Sequence, residues 1–351
     1  MRGLAARARL QAALVSIIPR NAAYALLLAL PFALIILSLM IGLYNISAEN
    51  VLRALLSPLF PHMAEGVPNT DLTLVLRIRL PRVLTAALIG ASLASTGVAF
   101  QGIFKNPLVD SNLLGVTSGA GFGAALALLL GGTAVLVQGF AFGFGLLAVS
   151  LAYLGSRLYH TAPLIVLTLM GILIGSFFGS LTSLMKYVAD PLNTLPAITF
   201  WLLGGLTGVT WNNVPTLAII TVAGSAFLWL VRWRLNILSL GDSEAATLGM
   251  NPNRLKLIII TCATLMTAAA VAVGGVIGWI GLVIPHAGRI LVGPDHDRLI
   301  PASLALGASF LLVIDNVSRT LLPNEVPLGI LTGLVGVPLL IVLLRRNRTG
   351  W

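Results

Sequence analysis

The sequence is poor in charge and nearly without cysteine. Only 9% of its 351 residues are Asp, Glu, Lys or Arg and 58% are hydrophobic, against roughly a quarter charged in a soluble domain. A water-soluble globule is excluded, and the composition is that of an integral membrane protein. The single cysteine, Cys262, lies in an apolar run, which rules out an intramolecular disulfide and any site built on paired cysteines. Lysine occurs only as Lys105, Lys186 and Lys256, none of them following the glycine of a GxxxxGK[ST] loop, so if ATP drives this protein another chain must hydrolyse it. HExxH is missing too. Ten of the eleven acids fall in loops, leaving Asp315 alone in an apolar helix, so a membrane hydrolase finds no catalytic set. The net charge of +10 does not mark a nucleic-acid binder, because the basic residues sit between apolar spans and not in one patch.

What is there is a series of apolar runs. A crossing needs about 20 residues for roughly 30 Å of hydrocarbon. Spans are expected at 22–44, 83–104, 113–130, 134–153, 163–185, 214–231, 257–273, 279–292, 299–317 and 326–344. The second is rich in Ala, Gly, Ser and Thr, which let membrane helices approach closely, so it belongs in the interior. Gly274, Gly275, Gly278 and Gly281 interrupt the eighth, which is expected to be short or partly unwound and covered by protein. A short surface helix is expected near 49–56 and a short surface or re-entrant helix near 197–206. The N-terminus does not read as a cleaved signal, because its apolar run is too long for an h-region.

The expected fold is therefore all-α: a polytopic membrane protein of about ten helices in one domain, 1–351, with a cytoplasmic tail at 1–21. Arg2, Arg7, Arg9 and Arg20 precede the first span and Arg345, Arg346 and Arg348 follow the last. The positive-inside rule puts both ends in the cytoplasm and demands an even count. That topology leaves Arg53, Arg77, Arg79, Arg82, Lys186 and Arg319 outside. Four of these, Arg77, Arg79, Arg82 and Arg319, flank span ends, where the rule disfavours them.

The longest polar interruption of the second half is 232–256. It carries Arg232, Arg234, Arg254 and Lys256 with Asp242 and Glu244, and it reads as a handle for a partner. Residues 243–249 are good helix formers closed by Gly249, which can act as C′. Asn251-Pro252 follows as an N-cap and a first-turn proline, with the next apolar helix expected from about Leu255. His296 stands between Asp295 and Asp297 after Pro294, a helix-starting polar cluster.

Six stretches in order resemble the FecCD-type permeases, the membrane subunits of ABC importers for iron–siderophore, haem and cobalamin. They are RLPR at 79–82, the segment from Gly97 to Gly121 with FKNPLVDSNLLGVTSGAG, GDSEAATLG at 241–249, GxIGWIGLVIPHAGR at 275–289, GPDHDRLIPASLALGA at 293–308 and EVPLGILTGLVGVP at 325–338. The resemblance implies a homodimer in the inner (cytoplasmic) membrane, served by two ATPase subunits that use the ATP and by a periplasmic or lipoprotein binding protein. This chain itself is expected to bind no cofactor and no metal. Residues 232–256 match the coupling loop, and Gly241, Asp242, Ser243, Glu244, Ala245, Ala246, Leu248 and Gly249 the part that meets the ATPase. Asn106, Leu108, Thr161 and Ala162 match a cytoplasmic gate, although Ala162 replaces a serine. Arg79, Arg82 and Arg319 match positions that pair with glutamates on the two lobes of the binding protein. The sequence argues the same way: Arg79 and Arg82 share a helical face, and Arg suits bidentate carboxylate binding. Anchoring to lipid phosphates is the alternative for these arginines.

Iron–siderophore or haem is the expected substrate, with cobalamin or an oxyanion such as molybdate as alternatives. A rival from another class is an ion-coupled secondary transporter using Asp315. Against it, Arg319 lies one helical turn away and can pair with that carboxylate.

Overall fold

The apolar runs form helices, and the polar punctuation falls between them. The computed structural model describes residues 20–158 and 164–346. In chain order the helices are α1 (Arg20–Met40), α2 (Ala48–Leu56), α3 (Asn69–Phe104), α4 (Val116–Leu129), α5 (Ala134–Arg157), α6 (Leu164–Val188), α7 (Thr194–Leu203), α8 (Val214–Leu230), α9 (Arg232–Leu240), α10 (Asp242–Thr247), α11 (Pro252–Gly274), α12 (Ile280–Val292), α13 (His296–Thr320) and α14 (Leu328–Arg346). No strand occurs among the described residues. This is an all-α, multi-pass membrane protein.

Seven helices, α1, α3, α5, α6, α11, α13 and α14, are long and apolar enough to cross a membrane. The other three expected crossings fall on α8, which bends by 58° into α9, and on the shorter α4 and α12. The two expected short helices appear as α2 and α7. In α2 the Ser47 hydroxyl accepts the Asn50 N–H at 3.2 Å, which satisfies one of the free donors of a helix start.

The two short crossings have one cause: chain that is not helical enters the membrane beside them. Ahead of α12, residues 275–279 run without helix. Thirteen helical residues rise about 20 Å and five extended ones add about 16 Å, enough for a bilayer core of about 30 Å. Polar backbone at that depth must be covered. Gly205 N–H donates to Gly274 O and Leu328 N–H to Gly204 O, each at 2.9 Å, which ties the break to the end of α7 and the start of α14. Ahead of α4, the chain leaves α3 through Lys105 in the left-handed region and turns back into the protein. Its short 3-10 turn, Ser111–Leu114, rests on α6 so closely that a Cβ on Gly171 would lie 2.2 Å from Leu113 O.

The centre is the pair α3 and α13. A Cβ on Gly90 would stand 2.2 Å from Gly307 O, and one on Gly307 equally close to Gly90 O. Backbone meets backbone there, the close approach that small residues permit in membranes. Farther along α3, a Cβ on Gly97 would lie 2.1 Å from Gly281 O of α12. The most apolar window of α3 is 78% buried, whereas those of α1 and α6 are 11% and 17% buried. The small-residue second span is thus interior, as its composition predicts, and α1 and α6 face outward.

Candidate functional site

The cytoplasmic handle is built from three helices. α10 covers Asp242–Thr247, and Gly249 closes it with φ +77°. Asn251 then accepts the Arg254 N–H at 3.0 Å with Pro252 as the first helical residue of α11, so α11 begins three residues before the expected Leu255. Residues 232–240, expected as part of a polar connector, form the helix α9 and bury Leu235, Ile237 and Leu238. Lys256 Nζ lies 2.5 Å from Asp242 Oδ2 and fixes the start of α10 to α11. Within the expected coupling set, Gly241 and Ala245 are buried, while Asp242, Ser243, Glu244, Ala246, Leu248 and Gly249 are exposed. The Glu244 carboxyl is held below its usual range, first by its own backbone N–H and then by the Ser243 hydroxyl. A stable carboxylate near the start of a helix suits the helix dipole.

The expected gate is split. Asn106 Oδ1 accepts the Leu108 N–H at 2.9 Å, an Asx turn that leaves both residues exposed. Thr161 and Ala162 lie outside the described residues. Beside Leu108 opens a groove of about 640 Å³, lined by Asp110, Asn112, Ser118, Ser176 and Trp279 among others, with no Arg or Lys in its wall among the described residues. Asp110 belongs to the loop that turns back into the protein and is itself buried, so Asp315 is not the only buried acid. Its Oδ1 accepts the Asn112 N–H at 3.0 Å and its Oδ2 accepts Asn112 Nδ2 at 2.8 Å.

The sequence places Trp279 at the start of the eighth span but does not show its conformation. It is the residue on which the unwound segment turns into α12, with φ +72°, and it is more than a third exposed to the groove. A bulky side chain in the left-handed region carries backbone strain. Its side chain packs against α14: a Cβ on Gly336 would lie 2.9 Å from the Trp279 Cβ and 3.5 Å from Cγ of its ring. Trp279→Gly and Trp279→Ala remove the same ring, but only alanine keeps a β-carbon at positive φ. The glycine variant is expected to be more stable by about 1 kcal/mol. Thermal unfolding in detergent checks this, and equal midpoints would show that the turn relaxes.

The arginines expected to dock a binding protein make contacts inside this chain. Arg79, Arg82 and Arg319 are each less than a tenth exposed. Arg79 donates to Leu39 O at 2.8 Å, to Met40 O at 3.2 Å and to Tyr44 O, closing the carbonyl end of α1. Arg319 donates to Ile41 O at 3.0 Å and to Ser38 O at 3.3 Å, and its Nε lies 3.1 Å from Asp315 Oδ2. Arg82 joins Asp315 Oδ1 at 2.9 Å and Glu325 Oε1 at 2.6 Å. The exception to the positive-inside rule has an internal cause: three guanidiniums serve the orphan carbonyls of α1 and two carboxylates. Burial pushes the Glu325 carboxyl up, but Arg82 and the Thr207 hydroxyl outweigh it and leave the group below its ordinary range. Arg77, by contrast, is exposed. Asp315 is fully buried between Arg82 and Arg319, the pairing that a structural counter-ion makes.

A family model described as the FecCD transport family matches residues 27–346. The chain is 38% identical over 317 residues to the molybdate import system permease protein MolB of Haemophilus influenzae, covering 90% of this chain and 93% of that one. It is 38% identical over 283 residues to the hemin transport system permease protein HmuU of Yersinia pestis, covering 78% and 83%. It is 39% identical over 282 residues to the cobalamin import system permease protein BtuC of Halobacterium salinarum, covering 80% and 75%. A solved structure described as an inward-facing metal-chelate type ABC transporter superposes with a TM-score of 0.83 at 36% identity, over 92% of this chain and 98% of that one.

Proposed function

The chain belongs to the FecCD transport family, and from that premise we propose that it passes a metal chelate, an iron–siderophore or haem, across the inner membrane as one half of a homodimer. Its coarser role is that of the membrane permease of an ABC importer, which is not itself the catalyst. ATP is used by two separate ATPase subunits, and a periplasmic or lipoprotein binding protein delivers the substrate.

The observation that carries this function is α10. It is a short helix on the cytoplasmic end, anchored by Lys256 and by the Gly249 turn, with Ala246, Leu248 and Glu244 exposed and membrane helices leading away from both sides. Such an element can seat in a groove of an ATPase subunit and pass its motion on. The exposed face of α6, with Ser176, Gly179, Ser180 and Ser183, supplies a wall of small neutral groups for a pathway between two copies. A bulky chelate handed over by another protein suits such a wall, because tight contacts inside the membrane would slow its release. The 38% identity to a molybdate permease over nearly its whole length favours an oxyanion as the second reading. At the external end, Arg79, Arg82 and Arg319 support the rim on which the binding protein would sit, and Arg77 is the arginine left to meet it.

Ala245→Arg is a poor probe of the handle, since Ala245 is fully buried and an arginine there would disturb folding. Ala246→Arg and Leu248→Asp place their charges on the exposed face. Both are expected to leave the permease folded and to lower ATPase binding and substrate-stimulated ATP turnover by at least about tenfold, since interface centres concentrate binding energy. Co-purification with the ATPase and turnover in proteoliposomes read this out, and normal coupling in both variants would exclude α10 as the contact.

A further inference from the structure

α10 packs mainly on α9 and on the start of α11, so a force applied to α10 reaches the other membrane helices largely through α9. α9 is fastened to the turn that opens α13. Asn236 Nδ2 donates to Asp295 Oδ1 at 2.8 Å. Asn236 Oδ1 accepts the backbone N–H of His296 at 3.0 Å and stands 2.6 Å from its Nδ1, so that ring nitrogen carries the proton in a neutral imidazole. Arg232 Nε lies 2.6 Å from Asp297 Oδ1, and its guanidinium is stacked 4.0 Å from the Trp229 ring. Asp295 Oδ1 also accepts the Asp297 N–H at 3.0 Å, which caps α13. The joint is tight: a Cβ on Gly102 of α3 would lie 2.9 Å from His296 Nε2. From this joint α13, 25 residues long, runs to the end that carries Asp315 and Arg319, where Arg82 locks it to α3.

We propose that Asn236 is a positioning residue for coupling: it clamps the α9 arm to the first turn of α13, so that displacement of α10 by an ATPase becomes displacement of α13 and of the external charge cluster at its far end. This rests on the permease function above. One side chain serves both sides of the joint, because a single Asn offers a donor for Asp295 and an acceptor for His296. A polar joint of this kind, half-buried at Asn236 and closed over the buried His296, fixes one relative position of two elements, which a purely apolar contact does not.

The test uses the complete transporter in proteoliposomes, with ATPase subunits and binding protein, and measures substrate molecules carried per ATP hydrolysed. Asn236→Leu keeps the volume and removes the polar contacts. The ATPase is expected to co-purify and hydrolyse ATP, while substrate carried per ATP falls at least about fivefold, the low end of an ordinary coupling energy. A merely structural defect would lower yield and hydrolysis together without changing the ratio. The second variant, Asn236→Cys with Asp295→Cys, tests the joint directly, Cys262 being the one native thiol. Its ratio is expected to be low when reduced and to recover when a short bifunctional thiol reagent bridges the pair. An unchanged ratio in Asn236→Leu, or no recovery on bridging, overturns the clamp. Uptake by the wild-type chain without ATPase subunits would instead overturn the permease function itself.

Discussion

Gly307→Val is expected to leave no folded permease in the membrane. A Cβ at that position stands 2.2 Å from Gly90 O and 2.5 Å from the Ala94 Cβ, and the backbone oxygen cannot swing aside as a flexible side chain would. α3 and α13 must separate to admit it, which undoes the central helix pair. Overpacking typically costs about 1–3 kcal/mol even where side chains can shift, so Gly307→Ala should be measurably destabilised and the β-branched variant lost. Gly139→Val on the outer face of α5, where nothing lies within 4 Å, is the matched control and should fold. Size-exclusion profiles and thermal unfolding in detergent decide. A monodisperse, wild-type-like Gly307→Val would mean that the pair is not in backbone contact.

Asp315→Leu should be the most damaging single change in the external cluster. It removes the fully buried carboxylate that both Arg82 and Arg319 face, leaving Arg82 only the partly exposed Glu325 as counter-charge and Arg319 only neutral acceptors. Deleting one member of a buried ion pair costs about 3–5 kcal/mol. Glu325→Gln should cost much less, since Glu325 is partly exposed and the amide can still accept from Arg82. The midpoint of thermal unfolding should therefore fall far more for Asp315→Leu than for Glu325→Gln. If the order is reversed, Arg82 is held by Glu325 and the cluster has been assigned the wrong centre. Asp315→Asn adds a separation of function: any of it that folds should still transport, whereas a carrier that moves its ion on Asp315 would stop.

The fold was legible where it depends on long, uniform runs. Apolar length placed the helices, and the small residues between Ala86 and Gly102 placed α3 in the interior. The Asn251-Pro252 cap and the Gly249 stop were visible because they are local backbone chemistry. What sequence pattern could not show was depth and partnership. Asp110 was placed in a loop, which it is, but its loop turns back into the protein, a consequence of packing against Gly171 that no periodicity reports. Arg79, Arg82 and Arg319 were expected to face a partner because they defy the positive-inside rule. Within the chain they meet the carbonyls of residues 38–44 and two acids, and of these only Asp315 lies one helical turn from one of them. The helicity of 232–240 was missed because its three buried apolar residues are diluted by Arg232, Arg234, Asn236 and Ser239. The conformation of Trp279 was missed because a left-handed turn is carried there by a residue type that seldom adopts one.

The most direct measurement of the central claim is uptake of a radiolabelled iron–siderophore, haem and molybdate into proteoliposomes that hold this chain alone, or this chain with its ATPase subunits and binding protein. ATP-dependent uptake of an iron chelate by the complete assembly, with none by the chain alone and none in the Leu248→Asp variant, is the predicted result. Uptake of molybdate only would keep the importer and replace its substrate, while uptake by the chain alone, driven by an ion gradient and indifferent to ATP, would contradict the account.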